Sequence, residues 1–76
     1  MNEILNPMAY PEKTIRIIRI REVKEITGLG KSTIYDLIAR SEFPKALRLA
    51  PKAVGWVESE VLDWVNDRIA ERDNNN

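Results

Sequence analysis

The chain has 76 residues, with 12 basic and 12 acidic side chains and neither histidine nor cysteine. A chain of this length makes one domain that buries only about 60% of its unfolded surface, so its core is small and an enclosed active site of ordinary size has no room. The missing Cys and His exclude a thiolate nucleophile, a disulfide framework, the usual zinc ligand sets and a Ser-His-Asp relay, so neither enzymatic activity nor a cofactor is expected.

No apolar run approaches the roughly 20 residues of a membrane span, and the N-terminus lacks the basic-then-apolar order of a signal peptide. A soluble, cytoplasmic protein is expected. The net charge is zero, but its distribution is lopsided. Residues 31–52 hold Lys31, Arg40, Lys45, Arg48 and Lys52 against Asp36 and Glu42, a net of +3, whereas residues 53–76 sum to −4. If the basic middle forms one surface, an anionic partner docks there.

In chain order, residues 1–13 carry Pro7 and Pro11 without a sustained period and read as a flexible arm. Thr14–Ile20 is β-branched and short, which predicts a strand of about five residues. A first helix follows over about Arg21–Thr27, with Val23 and Ile26 on its apolar face, and a second over about Lys31–Ser41, with Ile34, Leu37 and Ile38 at i, i+3 and i+4. Between them Gly28 suits a left-handed helix end, Gly30 an N-cap, and Leu29 plugs the corner. Two short helices abutting across such a turn are how a helix-turn-helix looks in sequence.

Phe43-Pro44 then stops the second helix, because a proline disfavours helical geometry in the residue before it. Leu47–Leu49 and Val54–Trp56 flank Ala50-Pro51-Lys52-Ala53, where Pro51 suits the second position of a turn, so a small hairpin is predicted. A last helix starts near Ser59, with Val61, Leu62, Trp64, Val65 and Ile69 on one face and Glu60, Asp63, Asp67 and Glu71 on the other. Trp56 and Trp64 are read as core. The expected domain limits are a flexible arm at 1–13, a winged helix-turn-helix at 14–72 and a frayed tail at 73–76. The predicted class is mainly α with a small β-hairpin: about three helices, a short N-terminal strand and a two-stranded wing.

With Ile34, Leu37 and Ile38 buried, a step of about 100° per residue turns Ser32, Thr33, Asp36, Ala39 and Arg40 outward, with Tyr35 on the flank and Lys31 at the helix mouth. In a helix-turn-helix the N-terminal part of the second helix enters the major groove of duplex DNA, where short hydroxyls and a lysine meet base edges. Arg48 and Lys52 on the hairpin, with Lys45 at its base, are placed to grip phosphate. The DNA-binding set read from the sequence is thus Lys31, Ser32, Thr33, Tyr35, Arg40, Lys45, Arg48 and Lys52. Bland alternatives stand beside it: Lys31-Ser-Thr as a capping turn, Tyr35 as a core-edge residue, and Arg16, Arg19, Arg21 and Lys24 as a solvated face.

Thr27-Gly28-Leu29, Lys31-Ser-Thr-Ile-Tyr35, Phe43-Pro44-Lys45, Leu49, Gly55-Trp56, Val61 and Trp64 together resemble the AlpA family of phage and prophage regulators, which is similar to excisionases and MerR-type winged helices. The resemblance spans roughly residues 16–68. It implies a prophage-type transcriptional regulator in a bacterium or phage that binds double-stranded DNA and controls an integrase or excision. An excisionase-like directionality factor that bends DNA is the alternative it also allows. Three positions depart from the family's pattern. Gly30 stands where relatives often place a serine cap. Ser41 stands near a frequent glycine, which predicts a different turn there. Asp36 replaces a residue that is often basic. Facing phosphate it would be repelled; facing a cytosine amino group it would accept a hydrogen bond.

A reading of another class also stands: a protein-interaction module in which the acidic last helix meets a basic partner such as a recombinase. One recognition helix of modest charge implies weak half-site binding, so a dimer, tandem copies or a helper protein are expected partners.

Overall fold

The computed structural model describes residues 14–75. The expected arm at 1–13 and Asn76 lie outside them. In chain order the elements are β1 (Ile17–Ile18), α1 (Ile20–Thr27), α2 (Lys31–Ala39), β2 (Leu47–Ala50), β3 (Ala53–Val57) and α3 (Glu58–Asn74). The strands form one antiparallel sheet in the order β1-β3-β2. Three helices with a hairpin wing make a winged helix-turn-helix, as the sequence predicts.

β3 is the centre of the sheet because it is paired on both sides. Ile17 and Ile18 stand opposite Val57 and Trp56, and Leu47, Arg48 and Ala50 stand opposite Gly55, Val54 and Ala53. The strand predicted at Thr14–Ile20 is two residues long instead of about five. Its far end is claimed by α1: Glu22 Oε1 accepts from the Arg19 backbone N–H at 3.1 Å, and Val23 N–H bonds to Arg19 carbonyl at 3.0 Å, which commits Ile20 to the first helical turn. The hairpin turn is Pro51-Lys52. Proline fixes a negative φ, and Lys52 is not in the positive-φ region, so this is an unprimed turn whose twist fits a hairpin poorly. The register irregularity between Arg48 and Ala50 takes up the mismatch.

The corner of the helix-turn-helix forms as read. Gly28 has φ 75°, and its N–H bonds to Lys24 carbonyl at 2.8 Å. Thr27 Oγ1 donates to Val23 carbonyl at 2.8 Å and accepts from Leu29 N–H at 3.1 Å, which turns half-buried Leu29 onto the core. Gly30 is the α2 N-cap with φ −81°, a geometry open to any residue.

α2 ends two residues earlier than predicted, at Ala39. Ser41 takes φ 59°, Ser41 N–H bonds to Ile38 carbonyl at 2.9 Å and Glu42 N–H to Leu37 carbonyl at 2.8 Å. This is the paired closure that normally uses glycine, so the different turn expected from Ser41 is corrected: serine occupies the left-handed position itself. A left-handed non-glycine residue costs about 1–2 kcal/mol. Ser41→Gly is therefore expected to raise stability by about 1 kcal/mol in urea unfolding, after part of the gain is lost to the freer unfolded chain. An unchanged midpoint would show that the serine is unstrained.

The core consists of Ile18, Val23, Ile34, Phe43, Trp56 and Val61, with Ile20, Ile26, Leu29, Leu37, Ile38, Ala46 and Trp64 packed around it. The two indoles also hold the loop after α2. Trp56 Nε1 donates to Pro44 carbonyl at 3.1 Å, and Trp64 Nε1 donates to Glu42 carbonyl at 2.8 Å. Phe43 meets Trp64 edge-on at 4.9 Å between ring centroids. Gly55 is required by close approach: a Cβ there would lie 2.6 Å from Ile17 Cγ2 and 3.0 Å from both Ile18 carbonyl oxygen and Leu49 Cδ1.

α3 departs from its expected apolar face. Val61 is buried and Trp64 and Val65 are half-buried, but Leu62 and Ile69 are exposed, as is every described residue from Asn66 onward. The helix also continues through Asn74, past the tail boundary expected at Asp73. Asn75 N–H caps it by bonding to the Glu71 and Arg72 carbonyls at 3.1 and 3.3 Å, which outweighs the poor helix propensity of the final residues.

Candidate nucleic-acid interface

Lys31 is the first residue of α2, and Lys31, Ser32 and Thr33 are all exposed on its opening turn. The first turn of a helix leaves backbone N–H groups unpaired and carries the positive end of the dipole, so this end attracts phosphate. Ile34, the residue behind it, is fully buried and fixes which way that turn faces. Tyr35 is 39% exposed, with its ring set edge-on to Trp56 at 6.0 Å. This contact ties α2 to β3, the central strand of the sheet.

The remaining positions predicted to bind DNA divide by their neighbours. Arg48 lies on β2 and Lys52 in the hairpin turn, both exposed, and Arg48 Nη2 donates to Pro51 carbonyl at 3.3 Å across the turn. Lys45 is exposed at the base of the hairpin but lines a cleft with Glu60, Asp63 and Asp67 of α3. Arg40, just past the end of α2, is engaged: Asp36 Oδ2 accepts from its Nη2 at 2.9 Å, and Glu42 Oε1 lies 3.8 Å from Nη1.

Among the described residues, the cations separate into two groups. Arg16, Arg21, Arg40, Arg68 and Arg72 each have a carboxylate partner. Lys31, Lys45, Arg48 and Lys52, and also Arg19 and Lys24 at the start and on the exposed side of α1, make no ion pair with another described residue. A cation without a local counter-charge is the kind that a phosphate can neutralise.

Arg16 carries a role that sequence reasoning missed. Its Nη1 donates to Glu58 Oε2 at 2.6 Å, its Nη2 to Glu22 Oε2 at 3.2 Å, and its carbonyl accepts from Glu58 N–H at 2.8 Å. It clamps the approach to β1 onto the starts of α1 and α3. Spacing carries no signal for a pair 42 positions apart.

These features define the class: a small winged helix-turn-helix with an exposed, lysine-led second helix. Residues 16–69 match the family described as prophage CP4-57 regulatory protein (AlpA). The chain belongs to the AlpA family. It is 47% identical over 57 residues to an uncharacterised protein, ORF88, of Enterobacteria phage P4, covering 75% of this chain and 65% of that one. It is 37% identical over 60 residues to the DNA-binding transcriptional activator AlpA of Escherichia coli strain K12, covering 71% of this chain and 86% of that protein. The chain therefore spans just under two thirds of the phage relative. Among the described residues no helix is long and apolar enough to cross a membrane.

Proposed function

We propose that this protein is a prophage-type transcriptional regulator, not an enzyme, that binds duplex DNA with the N-terminal half of α2 in the major groove and its hairpin wing on the backbone. It acts in a bacterial cytoplasm. The observation that carries this reading is the absence of ion-pair partners, among the described residues, for Lys31, Arg48 and Lys52, which lie on the two elements a winged helix presents to DNA. Ser32 and Thr33 are the hydroxyl readers of base edges, and Tyr35 orients α2 against Trp56. Lys45 is a weaker phosphate ligand because α3 carboxylates share its cleft. The description of the bacterial relative as a DNA-binding activator supports the same reading. The family's description as a prophage regulatory protein supports control of an integrase or of excision as its role.

Fluorescence anisotropy against duplexes tiling the protein's own genetic neighbourhood tests this, at two salt concentrations and with an unrelated duplex as competitor. About four phosphate contacts give a log–log salt slope near −4. Preferential, salt-sensitive binding to one fragment is expected; equal weak binding to all would remove the regulator reading. Bending of the bound fragment, read by end-to-end energy transfer, would favour the excisionase-like alternative.

The interaction-module reading is favoured by a separate feature. Glu60, Asp63 and Asp67 have no ion-pair partner among the described residues, and all three line a cleft with Phe43, Pro44 and Trp64. A basic recombinase segment fits that surface, and so does a second copy of the chain offering a basic face.

A further inference from the structure

We propose that Asp36, held by Arg40, is a specificity determinant that selects a C·G base pair in the major groove. This inference rests on the DNA-binding reading above and adds to it what the second helix recognises. Ser32 and Asp36 on α2 and Arg40, its C-cap, follow each other at four-residue spacing and so lie along one side of the helix, with the carboxylate in the middle. All three are exposed, and none packs in the core. Asp36 Oδ2 accepts from Arg40 Nη2 at 2.9 Å with side chains 65% and 55% exposed, an arrangement that contributes little to stability. Its position on the outward line of the recognition helix is what gives it consequence.

An ionised carboxylate only accepts hydrogen bonds, and a phosphate oxygen repels it. In the major groove the hydrogen-bond donors are the amino groups of cytosine and adenine. Adenine's amino group lies between its own N7 and thymine O4, two acceptors that repel a carboxylate on either side. A C·G pair instead sets the cytosine amino donor beside guanine O6 and N7. That order complements a carboxylate beside a guanidinium. The 2.9 Å bond draws the Arg40 guanidinium one turn back toward the half of α2 that enters the groove, where it can face guanine while Asp36 faces cytosine. Arg40 also lies 3.8 Å from Glu42, so its charge is already countered and adds little to phosphate attraction. The pair therefore acts on sequence choice more than on overall affinity.

Selection from a randomised duplex pool, run in parallel with the native protein, Asp36→Asn, Asp36→Ala and Arg40→Gln, tests this, followed by anisotropy on the enriched duplex and its single-base-pair replacements. Circular dichroism confirms that each exposed substitution leaves the fold intact. The native protein is expected to require a cytosine at one position, with any other base there weakening binding about tenfold. Asp36→Asn should move that preference to adenine, whose N6 and N7 an amide pairs with, and Asp36→Ala should erase it while the rest of the site is kept. Arg40→Gln should relax the same position. An unchanged site in Asp36→Ala, or uniform tightening on every duplex, would overturn the proposal, the second by making Asp36 only a charge that repels phosphate. If the native protein enriches no sequence, the DNA-binding reading fails and the proposal fails with it, an outcome distinct from enrichment that ignores Asp36.

Discussion

Trp56→Ala is expected to lower the thermal unfolding midpoint steeply or to abolish the cooperative transition altogether. Trp56 is fully buried, faces Ile18 across the β1–β3 pair, carries the edge contact of Tyr35, and donates through Nε1 to Pro44 carbonyl at 3.1 Å. Truncating a buried tryptophan costs about 3–5 kcal/mol from lost transfer energy and the cavity left behind. A chain of this size has roughly 4–11 kcal/mol in total, so the loss takes between about a quarter and all of it. Circular dichroism during heating should show a midpoint lowered by some 15–30 °C, or no transition. Trp64→Ala is the control. Trp64 is half-buried on α3, and its removal should cost clearly less than that of Trp56. Equal losses at both positions would mean that the core is centred elsewhere.

The second large effect is on binding. Lys31→Ala and Arg48→Ala each remove one cation that has no ion-pair partner among the described residues, and neither side chain is buried. One phosphate contact contributes about 0.9 to the salt slope, which at 0.1 M salt corresponds to roughly eightfold in affinity. Each single substitution should weaken duplex binding by about that factor, and the double substitution by about sixtyfold, with the slope reduced by about 1.8. The two sites lie on different elements, so near-additivity is expected. Unchanged affinity in the double variant, with native circular dichroism, would turn attention to the carboxylate-lined cleft beside Trp64 as the working surface.

The helix-turn-helix corner was legible because its causes are local. A glycine at positive φ and apolar residues at i, i+3 and i+4 act within one or two helical turns and form as the spacing predicts. The Thr27 hydroxyl that bridges the turn is equally local but was not read from the sequence. The hairpin was legible for the same reason, since Pro51 sets its own φ regardless of what surrounds it. The exposed opening turn of α2 also follows from local periodicity once Ile34 is known to face inward.

Other features depend on partners distant in the chain, and these only the tertiary structure decided. β1 is short because α1 begins at Ile20 while only Val57 and Trp56 stand opposite it, which its β-branched composition does not reveal. Arg16 clamps Glu22 and Glu58, and Lys45 joins α3 carboxylates in a cleft, because packing brings those segments together. Arg40, at the C-cap of α2, is countered by Asp36 one turn back and also by Glu42 after the chain turns at Ser41. Leu62 and Ile69 share a helical face with buried neighbours yet remain exposed. Periodicity determines which side chains share a face; whether that face is covered depends on what the rest of the chain lays over it, and α1 and β3 pack against α3 without covering Leu62, Ile69 or the described residues from Asn66 onward.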